Sequence, residues 1–284
     1  MNTIRTIRMR ILPVAALVLS FVLPSFASSL HQVDHPPMLD TGFHQMYNLQ
    51  FPQAHATFAK FMAEHPHSPM GPVSDAAAYL FSEFNRTGVL NMALFTNDSN
   101  YLHHKRVPPD LAAKAAFDKQ VARTNVLADA ILAKNPNDPT ALFAKTLGFG
   151  LQADYASLIE RSDMTGFGFT KSGSADAQKL LAIDPHAYDA YLAVGMENYI
   201  LGLKPAPVRW LLQLAGGQTN KTLGEQDLEL TATRGHYLAP LAKLLLAVAA
   251  IRDNDKPKAR ELLASLAKEF PDNPLYARQL AKIS

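Results

Sequence analysis

The stretch Asp255–Pro271, DKPKARELLASLAKEFP, holds one complete building unit of the chain. Ala259, Leu262, Leu263, Leu266 and Phe270 recur at helical spacing, so the segment has one apolar face. Asp255 can cap the first turn, Pro257 is tolerated there because early helical N–H groups lack partners, and Pro271 stops a further turn. Immediately upstream, Leu241, Leu244, Leu245, Val248 and Ile251 mark a second apolar face. The polar run Arg252-Asp253-Asn254 between them leaves room only for a tight turn, and the spacing predicts an antiparallel helix pair.

The same spacing returns near the start of the chain. Ala54, Phe58, Phe61 and Pro66 in FPQAHATFAKFMAEHP reproduce the offsets of Ala259, Leu263, Leu266 and Pro271. A small alanine lets a neighbouring helix approach, large residues fill the space around it, and proline lets the chain turn back. This pattern resembles the second helix of a tetratricopeptide repeat, as found in bacterial secreted proteins of that type. The resemblance implies an all-α, right-handed solenoid of helical hairpins over residues 46–284, with a concave face lined by the first helix of each pair. Two further stops, Pro136 and Pro185, are followed by Leu147-Gly148 and Val194-Gly195 steps, where glycine permits close helix contact.

Stop-to-stop distances of 70, 49 and 86 residues do not fit a constant unit of about 34 residues, so the array is interrupted. One insertion is expected near Asp154–Ser174 and another near Leu203–Gly224, with a long loop over Asn91–Asp110. In the second insertion Pro205 and Pro207 end the preceding helix near Leu203. Glycines 216, 217 and 224 supply turns, and Asn220 or Thr222 caps the helix that resumes near Leu223. No run of alternating β-branched residues calls for a strand.

Residues 1–27 read as a cleaved secretory signal: Arg5, Arg8 and Arg10, then an apolar run from Ile11 to Pro24, then the small-x-small site Ser25-Phe26-Ala27. The apolar run is shorter than the roughly 20 residues that span a bilayer. The expected destination is the periplasm or the outside of the cell. Residues 28–45, with His31, His35 and Pro36-Pro37, are expected to form a linker. The chain has no cysteine, so neither a disulfide nor a cysteine nucleophile is available. Without the three leader arginines it carries 24 basic and 25 acidic groups, which gives no global field for nucleic acid.

Few constellations point to chemistry. Gly166-Phe167-Gly168-Phe169-Thr170-Lys171-Ser172 has the glycines, lysine and serine of a phosphate loop, but Thr170 stands where a glycine is required, so an ordered inter-helix loop is expected. Histidines 44, 55, 65, 67, 103 and 104 lack metal-ligand spacing and are expected to be solvated. Gly-x-Ser-x-Gly is absent. Tyr79, Phe81 and Phe84 follow helical spacing and are expected in the core. Glu197, Asn198 and Tyr199 on one helix, Lys204 and Arg209 in the insertion after it, and Lys171 are the candidate partner contacts. Such groups hydrogen-bond and stack on another protein's surface. The alternative role for Glu197 is internal, paired with Arg209, and Trp210 is expected to fill the core.

Gly195, Tyr199, Leu203, Pro205, Trp210, Leu211, Gly216-Gly217 and Gly224 also resemble a segment of a eukaryotic tetratricopeptide-repeat family with mitochondrial outer-membrane members. That likeness implies a scaffold working beside a membrane. The expectation is an exported, non-catalytic scaffold that binds a protein or peptide in its concave face and needs no cofactor. One alternative is a membrane-surface adaptor using Val208–Ala215 (VRWLLQLA) within the 203–224 insertion. Another is a hydrolase with its site in an insertion.

Overall fold

Alternation of capping residues, apolar stripes and stops along the chain yields helices packed on helices. The computed structural model describes residues 32–95, 107–202 and 217–283. Among these residues there are eleven α-helices and no strand. They are α1 (Pro37–Tyr47), α2 (Phe51–Glu64), α3 (Met70–Thr87), α4 (Leu111–Leu132), α5 (Pro139–Asp154) and α6 (Asp163–Ile183). After them come α7 (Tyr191–Gly202), α8 (Lys221–Arg234), α9 (Ala239–Arg252), α10 (Lys256–Glu269) and α11 (Pro274–Lys282).

Local signals account for most boundaries. Asp110, Asp138, Asn220, Asp255 and Asn273 each accept a hydrogen bond from an N–H of the first turn that follows, satisfying donors the helix itself cannot. Pro139 and Pro274 occupy the first helical position, where a missing N–H costs nothing. Asn254, at φ 62°, makes the tight turn between α9 and α10 in the left-handed region that asparagine tolerates. Gly88, at φ 78°, ends α3 in the same way.

Each helix from α1 to α6 packs on the next, as does each from α6 to α11. The repeated stripes lie at these contacts: Ala54, Phe58 and Phe61 on α2 and Ala259, Leu263 and Leu266 on α10 are fully buried. Phe81 and Phe84 are core residues, while Tyr79 is half-buried against the His55 ring.

Residues 37–45, expected in a linker, are helical. Leu39, Phe43 and Met46 line up on one face of α1 behind Pro36-Pro37, which begins the helix rather than holding the chain extended. This helix contacts both early and late segments of the chain. The Tyr47 hydroxyl donates to the Tyr237 carbonyl (3.0 Å), and Asn273 Nδ2 donates to the Tyr47 carbonyl (2.9 Å). The Tyr47 ring meets Phe81 edge-on and tilts against Phe270. Phe43 stacks on Tyr237 with centroids 4.7 Å apart and meets Phe58 edge-on. Burying each such ring stabilises by roughly 1.5–3 kcal/mol, so α1 is part of the core and not a tether.

The expected insertion over 154–174 is also helical. α5 runs into one π-helical turn, Tyr155–Ile159, and the chain reverses through Arg161 at φ 60° before α6 begins at Asp163. The glycine-rich run 166–172 therefore lies inside α6 and forms neither a loop nor a phosphate cradle. Gly166 faces the preceding turn, where a Cβ would collide with Ser157, which explains how a poor helix former is accommodated there. Of the loop expected over 91–110, Met92–Leu94 forms a single 3₁₀ turn and residues 107–110 lead without regular structure into α4. The signal segment and Trp210 lie outside the described residues, as do His103 and His104.

Candidate functional site

A cleft of about 240 Å³ opens where four distant segments meet: the arm before α1, the start of α5, the turn before α7, and the turn between α8 and α9. Val33, Phe143 and Ala187 supply its apolar wall. His35, His186, Tyr188, Arg234 and His236 supply polar edges, with Asp189 on the floor.

Asp189 sits in the 3₁₀ turn Tyr188–Ala190 and is buried. Its carboxylate accepts backbone N–H groups from His236 (2.8 Å), Tyr237 (3.0 Å) and Leu238 (3.0 Å). Gly235 makes the approach of that turn feasible, because a Cβ there would lie 2.6 Å from Asp189 Oδ1. Burial pushes the Asp189 carboxyl pKa up, and the three donated hydrogen bonds oppose that shift. Asp189 is thus a structural clamp whose lone pairs are engaged by the chain.

The rim is built differently. Arg234 Nη1 donates to the Tyr188 hydroxyl at 3.1 Å, and the guanidinium carbon lies 5.4 Å from the centre of the Tyr188 ring. Tyr188 is itself held from behind: Thr231 Oγ1 donates to its carbonyl at 2.9 Å, and its ring stacks on Tyr191. His236 hydrogen-bonds through Nε2 to Asp40 of α1, and His35 lies over both His236 (4.2 Å between centroids) and Tyr237 (5.1 Å). Partial desolvation, then the neighbouring His236, hold the His35 pKa below its ordinary value.

Residues 32–36, which have no regular secondary structure, run along one side of this cleft and reach an extended conformation at Pro36. Val33 buries its side chain, and the Asp34 N–H donates to Thr140 Oγ1 at 3.3 Å. An irregular stretch of polypeptide therefore already docks here through an apolar anchor, a backbone hydrogen bond and tilted ring contacts.

The candidate contacts from sequence fall elsewhere. Glu197, Asn198 and Tyr199 are buried on α7. Glu197 accepts the Gln218 N–H (3.3 Å). Asn198 accepts the Asn220 N–H (3.2 Å) and donates to Gln218 Oε1 (2.9 Å), so the pair receives the returning chain. The Tyr199 hydroxyl is buried without a hydrogen-bond partner, and burial raises its pKa. Lys171 is half-buried on α6 and does not line the cleft. Lys204 and Arg209 lie outside the described residues, as does most of the 203–224 insertion with its Val208–Ala215 stretch. Among the histidines expected to be solvated, His44, His65 and His67 are exposed. His55 instead pairs with the buried Asp75, which also accepts from Gln120 (2.7 Å).

Among the described residues, no group of three or more His, Cys, Asp or Glu could hold a metal ion, and no helix is long and apolar enough to cross a membrane. No family model, curated protein or solved structure matches the chain. Sequence reasoning missed the cleft because its rim residues come from three segments, around positions 35, 187 and 235, and carry no local motif.

Proposed function

We propose that this chain is an exported, non-catalytic helical-repeat scaffold, tetratricopeptide-like and right-handed, that holds an extended segment of a protein partner in the cleft between Tyr188, Arg234 and His35. The observation that carries the reading is the docked arm. Residues 32–36 carry no regular secondary structure and contribute Val33 to the apolar wall and His35 to the polar rim, contacts of the kind a bound peptide would use. Phe43 and Tyr47 of α1 pack against Phe58, Phe81, Tyr237 and Phe270, and the cleft lies beside this helix.

The chain has no cysteine, so a single introduced one can carry a photo-cross-linker at a chosen place. His186→Cys places it on the rim, and Leu111→Cys places it on the exposed N-terminal turn of α4. Irradiation of the native envelope should give a discrete protein adduct from position 186 and not from 111. Equal labelling from both positions, or none above background from 186, would remove the cleft as the partner site.

A further inference from the structure

We propose that the cleft recognises a carboxylate carried by its peptide ligand, gripped by the free edge of the Arg234 guanidinium. This rests on the peptide-binding reading and names the ligand's chemistry. The argument is an inventory of unspent hydrogen-bonding capacity. Of the acids at or near the cleft, Asp189 is engaged by three backbone N–H groups and Asp40 by His236. Asp184 accepts the His186 N–H (2.9 Å) and faces that imidazole at 3.8 Å, while Asp34 does not line the cleft. Unspent capacity on the rim is mostly of the opposite kind. Arg234 uses one of its five N–H groups on Tyr188, the Tyr188 hydroxyl accepts that bond and keeps its own proton to donate, and the His35 and His186 rings bring imidazole N–H groups.

Arg234 is also held ready. The guanidinium is fixed to Tyr188 by the Nη1 bond and by the ring beneath it, and Thr231 and Tyr191 hold Tyr188. A planar fork fixed at one edge presents its other edge for two parallel bonds, a geometry that carboxylate oxygens match and a single carbonyl does not. Desolvating an unpaired charge on binding is costly, so a ligand without an anion would leave Arg234 poorly satisfied. Nearby Asp34, Asp40, Asp184 and Asp189 temper the field at this point, which leaves the geometry of the fork to select the ligand.

The test is fluorescence anisotropy of the purified chain with a labelled decapeptide of alternating Ser and Glu, beside a Ser and Gln counterpart at equal ionic strength. The Glu peptide should bind at least about tenfold more tightly than the Gln peptide. Arg234→Gln should abolish that difference and Arg234→Lys should restore only part of it, with melting curves unchanged because Arg234 is exposed. Inorganic phosphate should displace the peptide no better than chloride at matched ionic strength. Equal binding of both peptides, full rescue by lysine, or phosphate binding as tight as the Glu peptide would each overturn the assignment. Should Arg234→Gln lower the melting temperature, Tyr188→Phe, which removes the hydroxyl that holds the guanidinium, is measured instead, and an unchanged preference for Glu in that variant counts against the proposal. A rim cross-link to a partner together with indifference to Glu rejects the carboxylate alone, whereas loss of both rejects the cleft.

Discussion

Helices α8 and α10 are both 14 residues long, yet they are held by opposite means. α10 presents Ala259, Leu263 and Leu266, all fully buried, and its contact is made by side-chain volume. α8 buries Gly224, Asp227, Leu228, Thr231 and Ala232, and its contact with α7 is made by the absence of a side chain. A Cβ at Gly224 would lie 2.5 Å from Tyr199 N and 2.7 Å from the Gly195 carbonyl oxygen, so the two backbones touch. Periodicity records the first kind of contact and is silent on the second. The turn expected at Gly224 is accordingly a helix–helix contact inside α8, while Asn220 caps that helix as expected.

The largest effect should come from filling the empty position. Gly224→Ala places a methyl against the backbone of Tyr199 and Gly195, neither of which can rotate away, and should destabilise by about 3 kcal/mol. Urea denaturation reads this directly. A loss below about 1 kcal/mol would mean that α7 and α8 slide apart freely, and the contrast with α10 would then be one of composition only.

The same contact holds an acid without a hydrogen-bonding partner of its own. Burial alone raises the Asp227 pKa to about 6, because a charge there is poorly hydrated. The folded chain then holds this proton more tightly than the unfolded chain between about pH 4 and 6. Stability from this group is unaffected below pH 4, falls as pH rises through that window, and stays lost above it. Asp227→Asn removes the charge. Relative to wild type it should gain about 1–2 kcal/mol between pH 4 and pH 8, a figure reduced for residual solvent contact. A difference that does not vary with pH would show that Asp227 is hydrated at the α7–α8 contact.

Legibility followed the same division. The stripes of α2 and α10, the Asp255 and Asn220 caps and the turn at Asn254 could be read because each depends on residues within one or two turns of the chain. α1 also carries a stripe in Leu39, Phe43 and Met46, but it is short and opens on the proline pair of a stretch expected to be a linker. Glu197 and Asn198 stand out as candidate partner contacts, while their inward orientation depends on the return of residues 218–220. The cleft could not be read at all, since Arg234 and Tyr188 meet only after α7 and α8 have packed. Contacts made by volume within a helix are local in sequence; clefts and backbone contacts are properties of the assembled chain.

The smallest expected effect sharpens the comparison most. Gly166 and Gly168 stand two residues apart in GFGF, both inside α6, and look equivalent in the sequence. A Cβ at Gly166 would meet Ser157 and lie 3.1 Å from the Ala153 carbonyl oxygen, whereas one at Gly168 would have nothing within 4 Å. Gly168 therefore serves no close approach, and its only energetic consequence in a helix interior is the backbone freedom it loses on folding. Gly168→Ala should stabilise by about 0.5–1 kcal/mol through reduced freedom of the unfolded chain. Gly166→Ala should destabilise, because the turn before α6 must move to admit the methyl. Opposite signs at two neighbouring glycines, read as shifts in urea midpoint at constant slope, would show that α6 follows the packing rule of α8 at one position and of an ordinary exposed helix two residues later. Equal signs would mean that Ser157 rotates away at little cost, and that the close contact of this region is confined to α7 and α8.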